Sequence, residues 1–284
     1  MKVAILSDVH GNLPALQAVA EDILAWKPDV TIVNGDLVNR GPSSAECWAF
    51  VTAQPGWRIT SGNHEAYVLQ WTDPDWVRPA GETGELYQPS WWTYERLNGT
   101  TPLLATLPPV VSLLDPAGGE LRASHASMRG DRDGIYLETE EEELAAQIAP
   151  APHLFCTSHT HRPFVRSLNG TLIVNSGSAG WTFDRDPRAS YARLTWRKTG
   201  WQAEIVRLEY DREQAARDFV ESGYYDGGGP LVRIMYAEWE KAMPLMHWWA
   251  ADYEPLVREG LLTVAGATEA FLAEHGLKEV RPPI

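Results

Sequence analysis

The chain opens on a short apolar run, residues 2–6, of the length and character of a buried strand. The period then changes. Leu16, Val19, Ala20, Ile23 and Leu24 recur at helical spacing, and Pro14 fits the first turn of that helix, where its missing N–H costs nothing. Residues 30–33 form a second apolar run. Ser43 or Ser44 can cap a helix ending near Gln54 and Pro55, residues 57–60 read as a third strand, and a helix is expected after Asn63. This βαβαβ beginning predicts a mostly parallel sheet with right-handed crossovers. Later strands are expected at 110–113, 121–124, 153–156, 165–168, 171–174, 191–196 and 203–208, with Asn169-Gly170 as a tight hairpin turn between two of them. The fold class that fits is α/β: a double β-sandwich of two mixed sheets packed face to face, with helices outside.

Two stretches break the pattern. Residues 71–100 carry Trp71, Trp76, Trp91 and Trp92 among prolines and glycines. They read as an inserted flap packing its own small core, with a substrate-facing lid as the sharper alternative. From Asp211, which can cap a helix running to about Ser222, helices take over. Gly227-Gly228-Gly229-Pro230 interrupts them, and further helices are expected at 231–242, around His247-Trp248-Trp249, and at 268–274. Residues 1–210 therefore read as one domain holding the 71–100 insertion, and 211–284 as a helical extension packed on it. A dimerisation element is the alternative for the extension, so monomer and homodimer both stay open.

Charge narrows the function. Acidic residues outnumber basic ones 38 to 24, a formal charge of −14. Such a surface repels polyanions and lacks the basic footprint of a protein that coats large nucleic acids. A small phosphate substrate is compatible with it, because bound divalent metals invert the field locally. Cys47 and Cys156 form no CxxC pair or disulfide framework, which fits a reducing, cytoplasmic setting. The apolar run at the N-terminus is too short for a secretion signal, and the stretch 103–114, interrupted by Pro108 and Pro109, is too short to span a bilayer, so no membrane association is expected.

Five clusters carry chemistry: Asp8-Val9-His10, Gly35-Asp36-Leu37-Val38-Asn39-Arg40-Gly41, Gly62-Asn63-His64-Glu65, His125 within Ser124-His125-Ala126, and Ser158-His159-Thr160-His161. Each follows an expected strand, and the carboxyl ends of strands in open α/β sheets converge on one crevice. Carboxylates and imidazoles without thiolates suit Mn, Fe, Co, Ni or Zn in a catalytic site better than a structural zinc. Seven donors, Asp8, His10, Asp36, Asn63, His125, His159 and His161, suggest two metal ions, with Asp36 as the natural bridge. Singly, each cluster is weak; together, in this order, they are specific. Other polar residues get blander readings: Glu65 as a first-turn carboxylate favoured by the helix dipole, the run 138–143 as a solvated helix start, Arg185 and Arg188 as surface ion pairs, and His153, His247 and His275 as structural or solvent-facing.

The five clusters resemble the calcineurin-like metallophosphoesterases, whose pattern is DxH, GDxxxR, GNH(D/E), a lone His and GHxH. Ser158 stands where the last motif has glycine. Asn175-Ser176-Gly177-Ser178 and Asp186-Pro187-Arg188-Ala189-Ser190-Tyr191 look like the small bacterial phosphodiesterase and phosphatase branch. The resemblance spans roughly residues 1–210. It implies one metal on Asp8, His10, Asp36 and His161, and a second on Asp36, Asn63, His125 and His159, with manganese placed first. It implies His64 as the catalytic histidine and Arg40 as a phosphate contact. The expected reaction is hydrolysis of a phosphodiester or phosphomonoester, in a small molecule or nucleotide, through attack by a metal-bridging hydroxide. Asn39 departs from the protein Ser/Thr phosphatases, which have an aspartate there to pair with the histidine; a neutral amide orients His64 without holding its proton by charge. Phosphoprotein hydrolysis, or a non-catalytic metal-binding scaffold for protein assembly, are the alternatives.

Overall fold

The computed structural model describes residues 1–198 and 200–283. Its strands are β1 (Lys2–Leu6), β2 (Val30–Asn34), β3 (Arg58–Thr60), β4 (Val110–Leu114), β5 (Glu120–Ser124), β6 (Leu154–Thr157), β7 (Phe164–Leu168), β8 (Thr171–Asn175), β9 (Ala189–Arg197) and β10 (Gly200–Leu208). They form two five-stranded mixed sheets, ordered β10-β9-β1-β2-β3 and β4-β5-β6-β8-β7. The first is parallel at β1–β2–β3 and antiparallel where β9 joins β1 and β10. The second is parallel at β5–β6–β8, with β4 and β7 antiparallel at its edges. Every expected strand is present. Asn169 and Gly170 both hold positive φ in the turn joining β7 to β8, as the primed hairpin turns require.

Side-chain alternation explains why β1 is apolar throughout. Val3 and Ile5 face the second sheet, where they meet Val111, Leu121, Leu154 and Val174. Ala4 and Leu6 face outward onto α1 (Leu13–Trp26) and α2 (Ser44–Thr52), through Leu16, Val19, Ile23 and Trp48. A strand covered on both faces needs apolar residues at every position. On the far side, Phe155 and Ile173 pack on Leu144 and Ile148 of the helix Glu141–Ile148. The layers are therefore helix, sheet, sheet, helix, the double sandwich the sequence predicts.

The helices depart from expectation in detail. Leu24, grouped with the apolar stripe of α1, is 53% exposed. Ser43 sits at the start of α2 but makes no capping bond; the Ser44 hydroxyl instead accepts from the Asn39 N–H at 2.9 Å and fastens the loop before the helix. The last helix starts at Val264, before the expected 268, because Thr263 caps it through the Gly266 N–H. Asp211 caps the helix Arg212–Glu221 through the Gln214 N–H, as expected.

The Trp-rich stretch folds largely as helix, including Gln88–Arg96. Trp71 meets Trp76 and Trp91, at ring separations of 4.5 and 4.7 Å, and Trp76 meets Tyr87. Trp92 faces the other way, buried against Tyr224 of the tail. The tail helices Val232–Lys241, Leu245–Asp252, Glu254–Arg258 and Val264–Glu274 share an apolar core built on Ile234, Trp249, Val257 and Phe271. Among the described residues, no helix is long and apolar enough to cross a membrane.

Candidate metal centre

The donors sit where strands end. Asp8 and His10 follow β1, Asp36 follows β2, Asn63 follows β3, His125 follows β5, and His159 and His161 follow β6. The loops lace to one another through the backbone: Asp8 N–H donates to Gly35 O, His10 N–H to Asp36 O, and Ser158 N–H to His125 O. Seven residues in these loops hold left-handed φ: Asp8, His10, Asp36, Asn39, Arg40, His159 and His161. Left-handed backbone is disfavoured for residues with a Cβ, and its concentration at one place marks a site that geometry, not local preference, dictates. Two motif glycines have steric reasons. A Cβ on Gly62 would lie 2.2 Å from Asp36 Oδ1, and one on Gly35, at φ +82°, would lie 2.5 Å from His125 Nδ1. Ser158, in the usual glycine position, is accommodated because its buried hydroxyl accepts from Asn34 Nδ2 at 2.9 Å.

The structure brings all seven sequence-singled donors together, in two groups sharing Asp36. Ligand atoms of Asp8, His10, Asp36 and His161 all lie within 4.8 Å of one another, and so do those of Asp36, His125 and His159. His161 Nε2 is 3.1 Å from Asp8 Oδ1, and His125 Nε2 is 3.2 Å from Asp36 Oδ2. Asn63 Oδ1 joins the second group, 3.1 Å from His125 Nε2.

The hydrogen bonds show what this arrangement fits. His125 Nδ1 faces the Asn34 carbonyl at 2.9 Å, and His161 Nδ1 faces the Trp181 carbonyl. Carbonyls only accept, so each Nδ1 carries a proton and each Nε2, the atom left for a cation, points into the centre. His10 Nε2 lies 3.3 Å from His161 Nε2 there, and Asp8 Oδ1 is buried without a hydrogen-bond partner. Ring nitrogens converging on carboxylate oxygens, one of them without a partner, suit cations. The charges agree. Burial works to raise the Asp36 carboxyl, yet His125 and His64 hold it well below the usual carboxylate range. Burial likewise opposes charge on His125, but Asp36 and Asp8 lift it to about 10. The pocket attracts positive charge.

Beside the donors stands His64, the second residue of α3 (Asn63–Leu69). Its backbone N–H donates to Asp36 Oδ1 at 2.8 Å, and its ring lies 4.5 Å from that of His10. Asn39 Nδ2 is 3.1 Å from His64 Nδ1. An amide nitrogen only donates, so Nδ1 accepts and Nε2 carries the proton of the neutral ring. Burial pushes His64 down to about 3, with Arg40 adding to the effect and Asp36 opposing it. The Arg40 guanidinium carbon lies over the rings of Trp181 and Phe183, 5.9 and 5.5 Å from their centres. It also makes an ion pair the sequence does not announce, Nη1 to Glu238 Oε1 at 2.5 Å.

Three polar residues do more than the sequence reading gives them. Glu65 is no ordinary first-turn carboxylate. Buried, it accepts from the N–H groups of Asp36, Leu37, Val38 and Gly62 and so pins the Asp36 loop to α3. The E of the GNHE run was its only signal. Glu238, in the helix Val232–Lys241, is fully buried and accepts from Arg40, from Trp181 Nε1 at 2.9 Å and from Met246 N–H at 2.8 Å. No sequence signal marks it, because its partners are distant in the chain. His247, read as structural or solvent-facing, is exposed, and it also lines the cavity over the metal centre with Phe183 and Trp248. The simpler readings describe His153, which meets Asp115, His275, which packs on Phe271 and Trp248, and Arg188, which pairs with Asp186. Arg185 departs from its reading: it makes no ion pair among the described residues, and its backbone N–H donates to Ala242 O.

A double sandwich with Asp and His donors at its strand ends defines a metallophosphoesterase. The chain belongs to the calcineurin-like phosphoesterases, whose family profile matches residues 1–186. It is 27% identical over 236 residues to MJ0912 of Methanocaldococcus jannaschii, a protein described as uncharacterized, covering 78% of this chain and 92% of that one. It resembles the crystal structure of a metallophosphoesterase from Sphaerobacter thermophilus, with a TM-score of 0.67 and 25% identity, over 86% of this chain and 99% of that one. The hypothetical protein PH1004 of Pyrococcus horikoshii shares the fold, with a TM-score of 0.67 and 17% identity, over 81% of this chain and 97% of that one. Family and buried Asp/His cluster together support a metal-dependent phosphoester hydrolase.

Proposed function

We propose that the chain hydrolyses small organic phosphoesters at a two-metal centre, with Asp8, His10, Asp36 and His161 holding one ion and Asp36, Asn63, His125 and His159 the other. The observation that carries this reading is the pair of donor groups sharing Asp36, with His64 and Arg40 beside them. Bound divalent ions supply charge neutralisation for the phosphoryl group and a water of lowered pKa. The chain's own residues do the rest. Arg40 gives one nitrogen to Glu238 and keeps its remaining donors, including an Nε with no partner, for phosphate oxygens. Trp181 and Phe183 fix the plane of that guanidinium. Asn39 turns His64 so that Nε2–H faces the cleft. An anionic substrate favours the imidazolium, against burial and Arg40, and His64 then gives its proton to the departing alkoxide.

The test pairs metal analysis with turnover. With manganese, a panel of phosphomonoesters and diesters should show hydrolysis. His64→Ala should lose it while keeping its metal, and Asp36→Asn should lose both. A chain carrying two equivalents of metal that hydrolyses no phosphoester overturns the proposal.

A further inference from the structure

The cleft is double. One cavity, about 620 Å³, lies over the donors and is lined also by Phe183, His247 and Trp248. A second, about 670 Å³, holds none of the seven donors. The two share Arg40, His64, Tyr67 and Met246 as a common border. His64 thus stands between the metal side and the second cavity.

That position has a consequence for direction. In an in-line displacement the incoming oxygen and the departing one lie on opposite sides of phosphorus. If His64 protonates the departing oxygen, as proposed above, the departing group extends past His64, away from the donors. The second cavity is the space there.

Its walls state what fits. Tyr67, Tyr87, Leu231, Met235, Met246 and Trp249 present aromatic, aliphatic and thioether surface. Such surface takes a flat ring system well. Trp249 carries a buried indole N–H with no hydrogen-bond partner among the described residues. Gln70, Glu254 and Arg258 add polar groups, able to meet the hydroxyl and amine edges of a heterocyclic alcohol. Arg132, stacked on Tyr67 with Cζ 4.7 Å from the ring centre, has no ion-pair partner among the described residues and adds a cation at the border. Most of these walls come from the Trp-rich insertion and the tail, outside the metal loops. A small monoester would leave one cavity empty. A diester with a substituent on each side fills both.

We infer that the second cavity binds the leaving alcohol of a phosphodiester, a heteroaromatic alcohol of nucleoside size, and that this inference rests on His64 being the proton donor. In the reaction, oxygen from water bonds to phosphorus and the P–O bond to the alcohol breaks. The alcohol leaves with the His64 proton, and a proton from the attacking water passes to solvent or restores His64. The products are a phosphomonoester and the free alcohol.

The experiment compares two diesters of the same 5′-nucleotide, one releasing adenosine from its 3′ oxygen and one releasing methyl β-riboside from the same oxygen. The two leaving alkoxides are of nearly equal basicity, so a difference reports binding of the adenine ring. The wild-type protein should favour adenosine release by about tenfold or more in kcat/KM. Ala66, an exposed residue of α3 facing the second cavity, allows a filling variant, Ala66→Trp, and Ala66→Phe is a second. Each should reduce adenosine release about tenfold and leave methyl riboside release within about twofold. Calorimetric titration of adenosine into the protein, without reference to turnover, should show binding that both variants weaken about tenfold. Equal rates for the two diesters, or adenosine binding untouched in both variants, overturns the inference. If p-nitrophenyl phosphate is still hydrolysed in that case, the phosphoesterase reading stands and only the leaving-group site falls. If no ester is hydrolysed by the manganese-loaded protein, the phosphoesterase reading itself falls.

Discussion

The strand-end loops and the helical tail border the same cleft by opposite physics. The loops hold their residues against backbone preference: seven left-handed positions cost about 1–2 kcal/mol each where the residue has a Cβ. They also crowd two buried carboxylates and four imidazoles into one small volume. The tail is relaxed helix with an apolar core, and it reaches the cleft through a single buried carboxylate, Glu238, and a wall of Met and Trp. The contrast suggests a division of labour. The loops set where charge gathers, and the tail sets how Arg40 lies and what can sit beyond His64.

The division breaks most readily at Asp36. Asp36→Asn removes the carboxylate charge shared by both donor groups, so metal content should fall and kcat drop about a thousandfold or more. Metal analysis together with turnover of p-nitrophenyl phosphate checks it. If Asp36→Asn keeps full metal content, the loops do not set the charge of the site. A second change attacks the loops from below. Glu65→Leu leaves four backbone N–H groups without their acceptor, and each buried orphan costs about 1–3 kcal/mol. Denaturant unfolding should show a loss of at least about 3 kcal/mol, accompanied by weaker metal retention.

The tail is tested at Glu238. Glu238→Gln keeps shape and removes the charge facing Arg40. Metal content should stay at the wild-type level while kcat/KM falls about tenfold, the size of effect seen when a partner that orients a functional group is lost. A drop in metal content would show that tail and loops are one unit and end the proposed division.

How much of this was legible follows the same line. The ten strands showed because buried strands need apolar runs whatever their partners, and β1 reads apolar at Val3 to Leu6 for that reason. The donors showed because metal chemistry restricts residue type, and the motif glycines Gly35 and Gly62 mark close approaches to His125 and Asp36. Glu65 showed only in part: its letter sits in a motif and its bond to the Gly62 N–H is local, but three of its four backbone partners exist only once β2 and α3 meet. Glu238 and His247 did not show at all. Their roles depend on how tail helices pack against residues some 60 to 200 positions earlier, and no local pattern encodes that. The Trp-rich stretch lay between. Its aromatic content announced a small core, which Trp71, Trp76 and Trp91 form, but not that Trp92 would turn to Tyr224.

The finest test acts at the seam, where Asn39 of the loops touches both His64 and Thr93 of the insertion. Burial and Arg40 hold the His64 imidazolium down, near 3, in the metal-free chain, and Asn39 offers no charge against them. Asn39→Asp places a carboxylate 3.1 Å from Nδ1, where the amide stands, and an adjacent opposite charge raises a histidine pKa by about 1–3 units. The sign is fixed: the proton-donating form then survives to higher pH. In a profile of kcat against pH with a diester substrate, the alkaline limb should move upward by about one unit, while metal content and the acid limb, which reports the donors, stay in place. An unmoved alkaline limb would mean that the proton reaching the departing alcohol does not come from His64. The direction assigned to the leaving group, past His64 toward the cavity walled by the insertion and the tail, would then lose its basis, while the metal centre built by the loops would stand unchanged.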